Sequence, residues 1–125
     1  MNFAKYQELA KRTLQCEMTE TELLANLVFG LCGESGEIAD YLKKAVFHRH
    51  GLDLSKLSKE LGDLLWYLSM LGEYYGLSLD DIAQQNIEKL EARYPEGFSY
   101  QDSQSRRDVS TAFSVDKGEQ RWTKK

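Results

Sequence analysis

The chain has 125 residues, 42% hydrophobic and 29% charged, with a formal net charge of −4. That length is most simply one domain, with room for a core but little to spare. The acidic balance argues against a generic nucleic-acid binder, and no apolar run approaches the roughly 18 residues that a bilayer span needs. No hydrophobic signal region opens the sequence, so a cytoplasmic protein without membrane attachment is expected.

The charge is unevenly spread. Residues 1–98 hold 10 Lys/Arg against 16 Asp/Glu, a balance of −6, whereas residues 99–125 hold 6 against 4, a balance of +2. A single proline among many Leu, Glu, Lys and Ala residues leans towards an all-α chain of four to five helices. Cys16 and Cys32 form no CxxC motif and read as reduced, partly buried residues rather than a disulfide.

In chain order, Phe3, Tyr6, Leu9, Ala10 and Leu14 recur at helical spacing and predict a short amphipathic helix over residues 2–15. Thr19 followed by Glu22 fits a capping box, so a second helix starts near Glu20 and continues to about Phe47. His48-Arg49-His50-Gly51 breaks it, and the HxH there reads as an exposed turn. A third helix is expected from about Ser55 to Tyr75, with Gly76 as its C′ residue. Ser78 and Asp81 mark the cap of a fourth, which runs to Arg93 before Tyr94-Pro95 stops it. Residues 99–125 read as an extended or weakly structured tail, with Val109, Phe113, Val115 and Trp122 available to dock on a neighbouring subunit.

The chemistry concentrates in two acidic pairs, Glu34-x-x-Glu37 and Glu60-x-x-Asp63. Spacing of i, i+3 puts each pair on one helix face, and a helical hairpin would bring the four together. At about 100° per residue, Glu34 falls within the apolar stripe Leu27, Leu31, Ile38, Leu42 and Ala45, with Glu37 on its flank. On the third helix, Leu57, Leu61, Leu64 and Leu68 mark the apolar centre, with Glu60 at its edge and Asp63 beside Tyr67. The carboxylates therefore face the core side. Unpaired ionised carboxylates there are costly, and an oxygen-only set without His or Cys suits a hard divalent cation. Gly30, Gly33, Gly36 and Gly62 imply a close approach near these acids or a kink.

On the fourth helix, Asn86, Lys89 and Arg93 share a face with Ile82 and Leu90. An amide and two cations there suit phosphate oxygens or a base edge. Trp66 and Tyr67 follow Asp63 and can either stack on a nucleobase or pack in the core.

Taken together, Glu34-x-x-Glu37, 22 intervening residues and Glu60-x-x-Asp63 resemble the signature of MazG-type nucleotide pyrophosphohydrolases. The flanks Gly-Glu-Ser-Gly-Glu-Ile-Ala-Asp and Glu-Leu-Gly-Asp-Leu-Leu-Trp-Tyr-Leu agree, as does the segment from Asn86 to Pro95. The resemblance covers about residues 3–98 and leaves 99–125 outside, so the chain divides into a 1–98 domain and a C-terminal extension. It implies an all-α bundle assembled as a homodimer or homotetramer. It also implies Mg²⁺-dependent hydrolysis, with Mn²⁺ as a substitute, of an NTP or dNTP to the monophosphate and pyrophosphate, as house-cleaning of the nucleotide pool. By position, Glu34, Glu37, Glu60 and Asp63 would bind metal, with Glu34 or Glu37 assisting as base. Asn86, Lys89 and, less directly, Arg93 would contact nucleotide. Two alternatives stay open: a dUTP- or dCTP-preferring enzyme of the same fold, and a non-catalytic oligomer that binds metal and nucleotide. A di-iron carboxylate bundle is disfavoured, because such sites use Glu-x-x-His pairs.

Overall fold

Capping chemistry sets the helix boundaries. A computed structural model of the chain describes residues 1–15 and 17–110, and these contain five α-helices and two 3-10 turns and no strand. They are α1 (Phe3–Ala10), α2 (Glu20–Phe47), α3 (Leu54–Tyr74), α4 (Leu79–Arg93) and α5 (Tyr100–Ser105). The expected capping box opens α2: Glu22 N–H donates to Thr19 Oγ1 at 3.3 Å, and the Glu22 carboxylate accepts from Thr19 N–H at 2.9 Å. Asp53, which the sequence reading passed over, caps α3 by accepting from Ser55 N–H at 2.9 Å. Gly76, at φ 68°, closes α3 as expected. Its N–H reaches Glu73 O and that of Leu77 reaches Gly72 O, the two bonds of a Schellman motif.

The α2–α3 hairpin is the framework. Its helices pack along most of their length, and the turn between them is tied down by Tyr41, whose Oη accepts from Asp53 N–H at 2.6 Å. Helix α1 crosses α3 and the start of α4. Gln7 makes the join: buried, it donates to Leu77 O at 2.9 Å and accepts from Leu79 N–H at 3.1 Å. Leu79 N–H is one of the orphan donors of the first turn of α4, so one side chain satisfies both a loop and a helix start. Trp66 adds a second join, donating to Thr13 Oγ1 at 2.8 Å and Ala10 O at 3.3 Å.

The first helix is shorter than its periodicity suggests. It gives way to a 3-10 turn at Lys11–Thr13, where the Thr13 hydroxyl donates to Ala10 O, and Leu14 is already extended. The extended-tail reading also needs correction over residues 99–110. Ser99 caps α5 by accepting from Asp102 N–H at 3.0 Å, Arg106 turns the chain at φ 48°, and the 3-10 turn Arg107–Ser110 packs back on α4. Polar composition hid this element because its stability comes from a cap and ion pairs rather than from an apolar stripe. The docking aromatics Phe113 and Trp122, together with Val115 and Cys16, lie outside the described residues, and so does the side chain of Val109.

The fully packed core is small. Among the described residues, the buried hydrophobic side chains are Leu27, Met70 and Leu79. The outer faces carry Phe29 at 74% exposure, Phe47 at 76% and Val46 at 69%. Leu61 and Leu68, expected at the apolar centre of α3, are exposed at 49% and 42%, because the face packed on α2 is centred instead on Leu57, Glu60, Leu64 and Tyr67. Cys32 is a free thiol as expected, but exposed rather than partly buried. No described helix is long and apolar enough to cross a membrane.

Candidate metal centre

Two turns of helix meet at the middle of the hairpin. Glu34 and Glu37 on α2, and Glu60 on α3, each place a carboxylate oxygen within 4.8 Å of the other two. Oxygen ligands about 2.1 Å from Mg²⁺ lie up to roughly 4.2 Å apart across an octahedron, so the three could close on one ion with small side-chain adjustment. Glu34 and Glu60 are half-buried, in keeping with a place on the core side, whereas Glu37 is exposed, so the acids line an open mouth. Among the described residues none of the three has a hydrogen bond or ion pair. Burial first, then repulsion from Glu37, Asp63 and Glu60, holds the Glu34 carboxyl above its usual range. Three mutually repelling carboxylates without a basic partner fit a hard divalent cation.

Asp63 stands beside this trio, outside it. It is exposed one turn along α3, and its charge reaches both Glu34 and Tyr6, whose phenol is raised first by burial and then by Asp63. The fourth acid therefore sits on the α1 side of the centre.

Glu37 and Glu60 open into a pocket of about 460 Å³ that also takes in Asp40, Tyr41, Lys44, His50 and Lys56. Lys44 pairs with Asp40 at 2.5 Å, and the Lys56 ammonium lies 4.8 Å from the Tyr41 ring centroid. Sequence reasoning missed these basic side chains. The signal was present in the i, i+4, i+7 run Glu37, Tyr41, Lys44 and in Lys56 one turn before Glu60.

The remaining expected site residues are placed elsewhere. Asn86 and Lys89 lie together in a second groove of about 470 Å³ between α1, α3 and α4, lined by Phe3, Leu65 and Ile82. That groove shares no lining residue with the acid pocket. Arg93 is engaged by Asp108, with Nε donating at 2.6 Å and an Nη at 2.5 Å to its two carboxylate oxygens. Trp66 is committed to α1. The Tyr67 ring lies so close over Gly30 that a Cβ there would collide with it, which accounts for that glycine by close approach. Cβ atoms on Gly33, Gly36 and Gly62 would meet nothing within 4 Å.

Residues 22–98 match the family described as the MazG nucleotide pyrophosphohydrolase domain. A protein of Mycobacterium phage L5, described only as gene 37 protein, is 35% identical over 80 residues, which span 61% of this chain and 70% of that one. No solved structure matches the chain. The matched segment holds both acidic pairs, α2 from Glu22 onward, and helices α3 and α4 entire, and the chain belongs to the MazG nucleotide pyrophosphohydrolase family.

Proposed function

We propose that this protein hydrolyses a nucleoside triphosphate, ribo or deoxy, to the monophosphate and pyrophosphate in a Mg²⁺-dependent reaction, with Mn²⁺ as a substitute. The observation that carries the reading is the convergence of three unpaired carboxylates from two helices. Glu34, Glu37 and Glu60 would hold the ion, with Asp63 alongside. When bound, such an ion polarises phosphoryl oxygens and neutralises charge that develops on the leaving group.

The chain's own residues supply the rest. Glu34, half-buried beside the other acids, or Glu37, exposed at the mouth, takes the proton from the water attacking the α-phosphorus. As the water oxygen bonds to phosphorus, the α–β anhydride bond breaks and pyrophosphate leaves. Asn86 and Lys89 offer an amide and a cation to the nucleotide from the α4 groove. Arg93, Trp66 and Tyr67 are left out of the assignment because each already has a partner within the chain. The exposed Phe29, Val46 and Phe47 support assembly with a second copy, as a dimer or tetramer, and the biological role fits nucleotide-pool house-cleaning.

The test is pyrophosphate release from a panel of canonical and damaged NTPs and dNTPs. Wild-type protein with Mg²⁺ should turn over at least one of them, and chelation should stop it. Glu37→Gln and Asp63→Asn should lower kcat by at least about 10²-fold. A dUTP or dCTP preference would show within the same panel. Binding without turnover across the whole panel, or release of orthophosphate instead, would refute the proposal.

A further inference from the structure

Glu37 and Glu60 form one end of the pocket, and further along its wall stand Asp40, Tyr41, Lys44, Lys56 and His50. Running from Glu37 towards the hairpin turn, α2 presents Tyr41 and then Lys44, while α3 presents Lys56 one turn before Glu60. The pocket thus passes from carboxylate to cation within about 6 Å along α3, from Glu60 to Lys56, and within about 10 Å along α2, from Glu37 to Lys44. A ligand that fits has a cation-binding part and further negative charge beyond it. Polyphosphate has that form.

Two of the three basic groups are engaged. Lys44 is neutralised by Asp40, which also pairs with Lys43, and Lys56 is seated on the Tyr41 ring. Tyr41 is itself fixed by Asp53, donating to Asp53 O at 3.3 Å and accepting from Asp53 N–H. His50 has no ion pair among the described residues, and its only ring neighbour there is His48, edge-on with centroids 6.3 Å apart.

Its backbone is held in an uncommon way. Arg49 takes φ 58°, a left-handed conformation that non-glycine residues seldom adopt, and His50 N–H then donates to Lys44 O at 3.2 Å. The turn thus bends back over the end of α2 and brings His50 to the pocket wall, where a looser exit would have carried it away.

We propose that His50 is a substrate-binding residue, donating from its imidazole to a phosphate oxygen of the pyrophosphate end of the nucleotide. This rests on the pyrophosphohydrolase reading and deepens it. The substrate then lies with its reacting phosphate at the acids and its terminal phosphates under the hairpin turn. Lys44 and Lys56 offset part of the charge of Glu37, Asp40 and Glu60 around it.

The probe is inorganic pyrophosphate with Mg²⁺, titrated calorimetrically into the full chain, alongside steady-state turnover of whichever triphosphate the panel identifies. His50→Gln should weaken pyrophosphate binding about tenfold and raise KM by a similar factor. Affinity for the nucleoside monophosphate and the thermal midpoint should be unchanged, and His50→Lys should restore pyrophosphate binding. If His50→Gln binds pyrophosphate as the wild type does, while wild type still turns over, the His50 assignment is overturned and the hydrolase reading stands. If wild type neither binds pyrophosphate nor releases it, both fall together.

Discussion

Gly30 and Tyr67 provide a test of how the hairpin is packed. On an open helix face, glycine to alanine adds about 1 kcal/mol of stability through backbone entropy and propensity. At Gly30 the added methyl would enter the space of the Tyr67 ring, near Cδ1, Cε1 and Cζ. Overpacking of this kind costs about 1–3 kcal/mol, so the net effect of Gly30→Ala runs from neutral to a loss of about 2 kcal/mol. For a chain of this size that lowers the thermal midpoint by up to roughly 10 °C. Gly33→Ala and Gly36→Ala are internal controls, because a Cβ on either meets nothing within 4 Å. Each should stabilise by up to about 1 kcal/mol. The assay is thermal and urea unfolding at one fixed protein concentration. Adding Tyr67→Ala to Gly30→Ala should recover most of the overpacking cost as a coupling energy. The reasoning is refuted if Gly30→Ala stabilises as much as Gly33→Ala does, or if its cost is unaffected by truncating Tyr67.

Further predictions concern the centre and the joins around it. Mg²⁺ should raise the thermal midpoint by mass action, worth about 2.7 kcal/mol at a hundredfold excess over Kd, and Glu60→Gln should abolish most of that gain. Because the folded-state pKa of Glu34 is raised, metal-free folded protein binds this proton more readily than the unfolded chain. Its stability should therefore fall as pH rises from the ordinary carboxylate range through the raised value, and Mg²⁺ should suppress the decline. Gln7→Leu leaves Leu77 O and Leu79 N–H without partners and should cost about 2–4 kcal/mol, read from urea unfolding. Asp108 has the opposite sign to Glu34: its hydrogen bonds to Arg93 hold its pKa down, so its contribution is complete above the ordinary aspartate value and is lost as pH falls through the lowered one. Asp108→Asn should lower the midpoint at neutral pH and flatten the acid limb of the stability profile.

What the sequence disclosed was local. Thr19 with Glu22, Ser78 and Gly76 sit within one turn of the ends they mark, so caps and boundaries were readable to within a residue or two. Glu34, Glu37 and Glu60 were legible because each pair's spacing is local and a hairpin was the simplest way to join two long helices. The rest depended on partners far along the chain. Trp66 looks like a stacking aromatic until Thr13, 53 positions away, is found accepting its indole N–H. Tyr67 reads the same way until Gly30 is found under its ring. The exposure of Leu61 and Leu68 shows that hydrophobicity alone misplaced the packed face of α3, since half-buried Glu60 lies on that face. A half-buried charge here opposes the apolar pattern, which is why angular counting went wrong beside it.

The Arg93–Asp108 pair bears on where this protein ends as a physical unit. The family match stops at residue 98, yet the carboxylate that balances Arg93 comes ten positions later, from a segment with its own cap and turn. A boundary drawn from shared residues describes ancestry, whereas one drawn from counterions describes what folds together, and in this chain the second boundary lies further on. Cutting at the first would leave α4 with an unbalanced guanidinium one turn beyond Lys89. The groove holding Asn86 and Lys89 would then gain a positive neighbour that the intact chain neutralises. A trimmed version could in this way acquire an anion affinity that belongs to the cut and not to the protein.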